Sequence, residues 1–305
     1  MKNLINSGGM SNKLIIVIIV AAITLGLAGF LIFRNNKQNN TQSAAETKNA
    51  TISNQSQNSD NFNKTAAINK EVEIIFFHHS TGENIWNGGV ADWFTDYNQK
   101  NNTAYQISEQ NFPKDSPYGW ENYPYDYWNI WVNHAGNNYF KEEPTLEILT
   151  EQYDLIIFKH CFPVSDIEEN TGSPDISSPK KTLENYKLQY RALKDKMREF
   201  PNNKFLVWTG AAQVAGEISE ENAARAKEFF DWVKNEWDEK NDNIYIWDFY
   251  ALETEGQLYI KNEYAAGPDD SHPNITFSRK IAPYYGQRIV DIIENRGDNT
   301  SITGK

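Results

Sequence analysis

The chain has 305 residues, a formal net charge of -12 and one cysteine, Cys161. A single cysteine excludes an intramolecular disulfide and a cysteine-rich metal site. Residues 1–70 carry seven basic and two acidic side chains, which leaves -17 on the remainder. A field of that sign repels polyphosphate backbones and argues against nucleic acid as a partner, whereas neutral glycans or esters suit it.

In chain order, residues 1–13 read as a short cytoplasmic N-terminus. Leu14 to Phe33 follow as 20 uncharged residues. At ~1.5 Å per residue such a helix spans a ~30 Å hydrocarbon core, so 14–33 is expected to be a transmembrane anchor. A cleaved signal peptide is the competing reading, but its apolar region would be shorter and end in small residues, whereas Phe30 to Phe33 are bulky. Lys2 and Lys13 precede the span and Arg34 and Lys37 follow it. The positive-inside rule is therefore nearly balanced, and the long polar segment that follows favours an extracytoplasmic domain. Residues 34–70 are Asn, Gln, Ser, Thr and Ala with almost no large apolar side chain, a composition that cannot offset its ordering entropy and predicts a disordered linker.

From 71 to 296 short apolar runs alternate with helix-period segments. That alternation predicts one α/β domain with a parallel sheet covered on both faces. The runs are Val72 to Phe77, Ala104 to Ile107, Leu155 to Phe158, Phe205 to Trp208 and Ile244 to Trp247, giving five strands. Leu183, Tyr186, Tyr190, Leu193, Met197 and Phe200 share one helical face. Ser219 is the expected N-cap of a second helix, with Glu220 and Glu221 favouring its dipole. A last helix carries Ile281, Tyr285, Ile289 and Ile293. Residues 297–305 are expected to be a flexible tail.

In open α/β sheets ligands bind beyond the carboxyl ends of the strands. The first run ends in His78-His79-Ser80-Thr81-Gly82, which places a hydroxyl on the strand-to-helix turn, with the helix expected from about Asn84. A serine there needs a general base and a group that orients the base. Both are offered by Asp269-Asp270-Ser271-His272-Pro273-Asn274, where the spacing of Asp269 and His272 lets one short turn bring a carboxylate to the imidazole. The expected catalytic residues are Ser80, Asp269 and His272.

This order, serine first and the Asp-x-x-His pair near the C-terminus, resembles the SGNH/GDSL-like serine esterase superfamily over roughly residues 72 to 294. The resemblance implies a three-layer α/β/α flavodoxin-like sandwich with a five-stranded parallel sheet. It further implies that Ser80 attacks an ester carbonyl, His272 takes its proton and Asp269 orients His272, with no cofactor and no metal. The family's Gly-Asp-Ser stands here as His78-His79-Ser80. Its oxyanion hole also takes a glycine after the second strand, for which Gly119 is the candidate, and an asparagine after the third. The latter is absent from Lys159-His160-Cys161-Phe162-Pro163-Val164-Ser165, leaving Ser165 as the substitute donor, beside Ser80, or Val164 as the mark of the lost position.

His79, Trp120, Lys159 and His160 are the candidate substrate-binding residues, and Cys161 reads as a small buried apolar group. Seven aromatics between Tyr118 and Trp131 offer either stacking surfaces for sugar rings or packing of an insertion over the sheet. The resulting expectation is a membrane-anchored extracytoplasmic serine hydrolase acting on carboxylic esters, such as acylated glycans or small esters. The alternatives are a catalytically inactive glycan-binding domain and an O-acyltransferase with the same triad.

Overall fold

The computed structural model describes residues 71–120 and 124–305. The expected anchor at 14–33 and linker at 34–70 lie outside the described residues. Among the described residues no helix is long and apolar enough to cross a membrane.

Five parallel strands form the sheet: β1 (Val72–His78), β2 (Tyr105–Asn111), β3 (Leu155–Phe158), β4 (Lys204–Trp208) and β5 (Ile244–Trp247). Their spatial order is β2-β1-β3-β4-β5. β3, β4 and β5 are almost wholly buried, because helices cover both faces and period-2 alternation becomes a continuous apolar run. β2 behaves differently. It continues past the apolar run that announces it through Ser108, Glu109 and Gln110, pairing residue by residue with β1 up to His78↔Asn111. As an edge strand with mostly solvated side chains, it takes its length from the β1 backbone rather than from burial.

Alternation divides the core in two. Ile74, Phe76, Leu155, Ile157, Leu206 and Trp208 face one layer, built by α2 (Val90–Asn101) and α8 (Ile275–Ile293), which contribute Phe94, Ile281, Tyr285 and Ile289. Ile75, Phe77, Ile156, Phe158 and Val207 face the other, built by α5 (Leu183–Arg198) and α6 (Glu220–Trp232) with Tyr186, Tyr190, Leu193, Met197 and Phe229. Four shorter helices complete the set: α1 (Ser80–Trp86) before α2, α3 (Pro124–Trp128) and α4 (Leu146–Thr150) between α2 and α5, and α7 (Phe249–Thr254) between α6 and α8. Caps set where the long helices begin. Thr182, Ser219 and Asn274 each accept a hydrogen bond from the backbone N–H three residues on, satisfying a donor the first helical turn leaves free.

Two expectations are revised by these contacts. α1 begins at Ser80 itself, not near Asn84, with His79 as the N-cap residue. The terminal segment lies on the domain instead of fraying. Ile302 accepts a hydrogen bond from the Asp248 N–H at 2.8 Å, Thr303 from the Trp247 indole at 3.0 Å, and Gly297 from the buried Arg288 guanidinium at 2.6 Å. Asp248 and Trp247 stand at the end of β5 and Arg288 on α8, and leaving such a buried donor without an acceptor costs ~1–3 kcal/mol.

Candidate active site

Where a 2-1-3-4-5 order reverses, the connections leaving β1 and β3 diverge and open a crevice at their carboxyl ends. Ser80 follows β1 and Lys159-His160-Cys161 follow β3, so both loops meet at that crevice. Gly82 permits the sharp entry into α1, since a Cβ there would collide with the His78 side chain and the Phe76 ring.

The remaining wall comes from a hairpin of β6 (Ala265–Gly267) and β7 (Asp270–Pro273), antiparallel and placed just before α8. Ser80 Oγ stands 2.7 Å from His272 Nε2 across 192 positions of sequence. On the opposite side of the ring, His272 Nδ1 lies 2.6 Å from Asp270 Oδ1. An ionised carboxylate can only accept, so Nδ1 carries the proton, and Nε2 is left as the acceptor for the Ser80 hydroxyl. Hydrogen bonds from the His272 backbone N–H and ring hold the Asp270 carboxyl below its ordinary value, although its side chain is half exposed. The edge of the imidazole is fixed by Phe162, whose ring meets it at 5.0 Å and 88°.

The carboxylate on the imidazole is thus Asp270, not Asp269. The reason is local conformation. The spacing argument for Asp269 assumes a turn, whereas Asp270 to Pro273 form an extended strand in which residues two apart share a face. Ser271 shows the alternation, turning away to accept the buried Val214 N–H at 3.0 Å. Asp269 is exposed and sits outside the strand.

A second set of groups lies beneath the serine. Cys161 Sγ is 3.7 Å from Ser80 Oγ, and the Lys159 ammonium donates to the same sulfur at 3.3 Å. Lys159 is fully buried, and burial pulls it below its ordinary value against the opposing influence of Cys161 and Glu253. For Cys161, burial raises the thiol, but Lys159 and the Thr81 backbone N–H outweigh it and bring it down. Glu253, also fully buried, is driven well above the ordinary carboxylate value by desolvation while accepting the Ala212 N–H. Burial, with Lys159 adding to it, holds His78 at about 3, His79 at about 4 and His160 at about 3, so all three are neutral at physiological pH.

No family model matches the sequence, and no curated protein matches it. Among solved structures the chain is similar to one described as BT4096, a gut microbial diltiazem-metabolizing enzyme, with a TM-score of 0.42 and 9% identity. The match covers 75% of this chain and 47% of that one, so the chain spans about half the length of that protein.

The other sequence candidates divide by burial. Ser165 gives its hydroxyl proton to the Ala211 carbonyl and is buried. A hydroxyl has one proton, so Ser165 is not a free oxyanion donor. Gly119 is exposed with φ of +83°, a left-handed conformation that glycine tolerates, and its outer side is open. Trp120 stacks on His79 with ring centroids 3.9 Å apart. Lys159 and His160 do not face solvent, which corrects their expected contact with substrate. His160 is packed among Tyr127 and Phe158 with Nε2 bonded to the Tyr190 hydroxyl at 2.9 Å. Tyr118, Tyr127, Trp128 and Trp131 likewise belong to the core, while Trp120 and Tyr125 remain partly exposed and Tyr123 lies outside the described residues.

Sequence reasoning missed Asp270, the closeness of Cys161 to Ser80, and the Phe162 contact. The first had a signal in Gly267-Pro268-Asp269-Asp270, a turn composition that sets a short strand after it. The other two depend on how the loop after β3 folds back, which no local pattern records. Among the described residues no group of three or more His, Cys, Asp or Glu side chains is placed to share a metal ion.

Proposed function

We propose that the protein is a serine esterase of the SGNH-like type, in which Ser80 is acylated by a carboxylic ester and then freed by water. The observation that carries this reading is the Ser80–His272–Asp270 chain, with contacts of 2.7 Å and 2.6 Å. As Ser80 Oγ attacks the ester carbonyl, its proton passes to His272 Nε2 and the carbonyl π electrons move onto oxygen. The imidazolium then faces the Asp270 carboxylate. Collapse of the tetrahedral intermediate expels the alcohol, which takes the proton from His272, and water repeats the sequence on the acyl-enzyme.

Three departures from the SGNH pattern accompany the resemblance: His78-His79 in place of Gly-Asp before the serine, the acid two residues before the histidine, and the loss of the expected asparagine donor after β3. The half-exposed His272–Asp270 pair and the partly exposed Trp120, stacked on His79 next to Ser80 in sequence, suit a substrate presented from solution, and we assign acylated glycans as the substrate class on that basis. Residues 14–33 would hold the domain on the outer side of a membrane. Transfer of the acyl group to a second hydroxyl uses the same residues, and product analysis with glycan as acceptor separates the two outcomes.

The test is hydrolysis of p-nitrophenyl acetate by the full chain and by Ser80→Ala. Loss of turnover to background in a variant that melts like the parent supports the mechanism. Undiminished turnover removes it, and sugar binding without turnover in the parent favours the silent glycan-binding domain.

A further inference from the structure

Lys159 is buried just past the carboxyl end of β3, the central strand, and the proposed reaction does not yet use it. Its side chain is 0% exposed, and its ammonium is hydrogen-bonded to a sulfur rather than to a carboxylate. Glu253 is the acidic group in its field, but that carboxyl makes no ion pair with Lys159, is fully buried, accepts the Ala212 N–H, and has its pKa raised by desolvation. The histidines around it, His78, His79 and His160, are neutral. An ammonium without a carboxylate in contact is costly to bury, and the group it is hydrogen-bonded to is the Cys161 sulfur, which in turn stands 3.7 Å from Ser80 Oγ.

What it acts on follows from the direction of the hydrogen bonds. Asp270 can only accept, so His272 donates Nδ1–H to it and accepts at Nε2 from the Ser80 hydroxyl. Ser80 Oγ has then spent its proton and can only accept from Cys161 Sγ, 3.7 Å away. That assigns the thiol as donor, and its sulfur in turn accepts from the Lys159 ammonium at 3.3 Å. Lys159, Cys161, Ser80, His272 and Asp270 thus form one chain in which every donor points the same way.

We propose that Lys159 is a positioning residue for Ser80: acting through the Cys161 thiol, it orients the serine hydroxyl toward His272 and stabilises the negative charge that grows on Oγ. The inference rests on the Ser80 esterase reading. Proton transfer from Ser80 to His272 creates negative charge at Oγ and positive charge on the ring. Asp270 stands behind the positive end and Lys159 behind the negative end, so both flanking charges favour the separation in a site of low effective dielectric. Lys159 is therefore to Ser80 what Asp270 is to His272.

The experiment uses the full chain and measures the second-order rate of fluorophosphonate labelling together with kcat and KM for p-nitrophenyl acetate. The variants are Lys159→Met, Cys161→Ala, Cys161→Ser and the Lys159→Met/Cys161→Ala double variant, with thermal melts on each. Labelling of Ser80 in the parent establishes the esterase reading first; without it that reading fails, and the role of Lys159 fails with it. Given labelling, Lys159→Met and Cys161→Ala each lower kcat and the labelling rate about 10- to 100-fold with KM within about threefold, less than loss of a direct oxyanion donor. The double variant is no worse than either single one, because both break the same chain. Cys161→Ser, which keeps a donor and acceptor at that position, retains most of the activity. Should Lys159→Met fail to fold, the two Cys161 variants decide. Parental or faster labelling in Cys161→Ala, an effect confined to KM, or additive losses in the double variant overturns the proposal.

Discussion

The Asp270→Asn substitution isolates one charge. The amide keeps a side-chain oxygen for the His272 backbone N–H, which Asp270 accepts at 3.0 Å, so the hairpin geometry is preserved. What is lost is the negative charge 2.6 Å from Nδ1 that faces the imidazolium formed during attack. With charge centres ~4 Å apart and an effective dielectric of ~20–40 for a half-exposed pair, that charge contributes about 2–4 kcal/mol. The expected loss in kcat is roughly 30- to 1,000-fold. Asp269→Asn, one residue away and exposed, should change kcat by less than about twofold. Steady-state kinetics on a chromogenic ester at pH 7 compares the two directly. Equal losses, or a larger loss at Asp269, would refute the assignment made from the strand alternation.

Three further outcomes follow from buried groups. Glu253 has its folded pKa raised by burial, so its stabilising contribution is complete below pH 4.5 and is lost as pH rises toward the folded value. Glu253→Gln mimics the protonated form and should melt higher than the parent above about pH 5, by a margin that grows with pH; a lower melting temperature would show Glu253 to be the counterion of Lys159. Asp238 is raised from 3.8 to about 7 by burial, with Asp242 adding to it, so it weakens the fold as pH climbs through that window. Asp238→Asn should therefore stabilise at pH 8 and be close to neutral at pH 3, as read by thermal melts. Ser271→Ala strands the buried Val214 N–H and is expected to cost about 1–3 kcal/mol in denaturant unfolding, with a fall in kcat as the hairpin bearing His272 loosens.

The sheet was legible because β1, β3, β4 and β5 are buried apolar runs whose pattern survives any arrangement of the helices around them. β2 was legible only in its first residues, since its remainder is polar and paired through backbone. Ser219 announced its helix by local chemistry alone. Ser80 and His272 were legible as residue types placed after a strand and before a helix, and the structure brings their atoms together. Which of two adjacent aspartates meets the imidazole was not legible, because it depends on Asp270 opening an extended strand while Asp269 stays in the turn before it. The terminal residues are polar and carry no packing pattern, yet their carbonyls meet donors from Asp248, Trp247 and Arg288 that only the folded sheet edge brings together. The aromatic segment fitted two accounts equally, and packing of Tyr127 and Trp131 against Phe112 and Phe158 is a tertiary fact without a local signature.

Covalent labelling of the full chain with a fluorophosphonate, followed by identification of the modified peptide by mass spectrometry, locates the nucleophile. A single adduct is expected, on Ser80, and it is absent from His272→Ala. An unlabelled protein, or an adduct on any other residue, would contradict it.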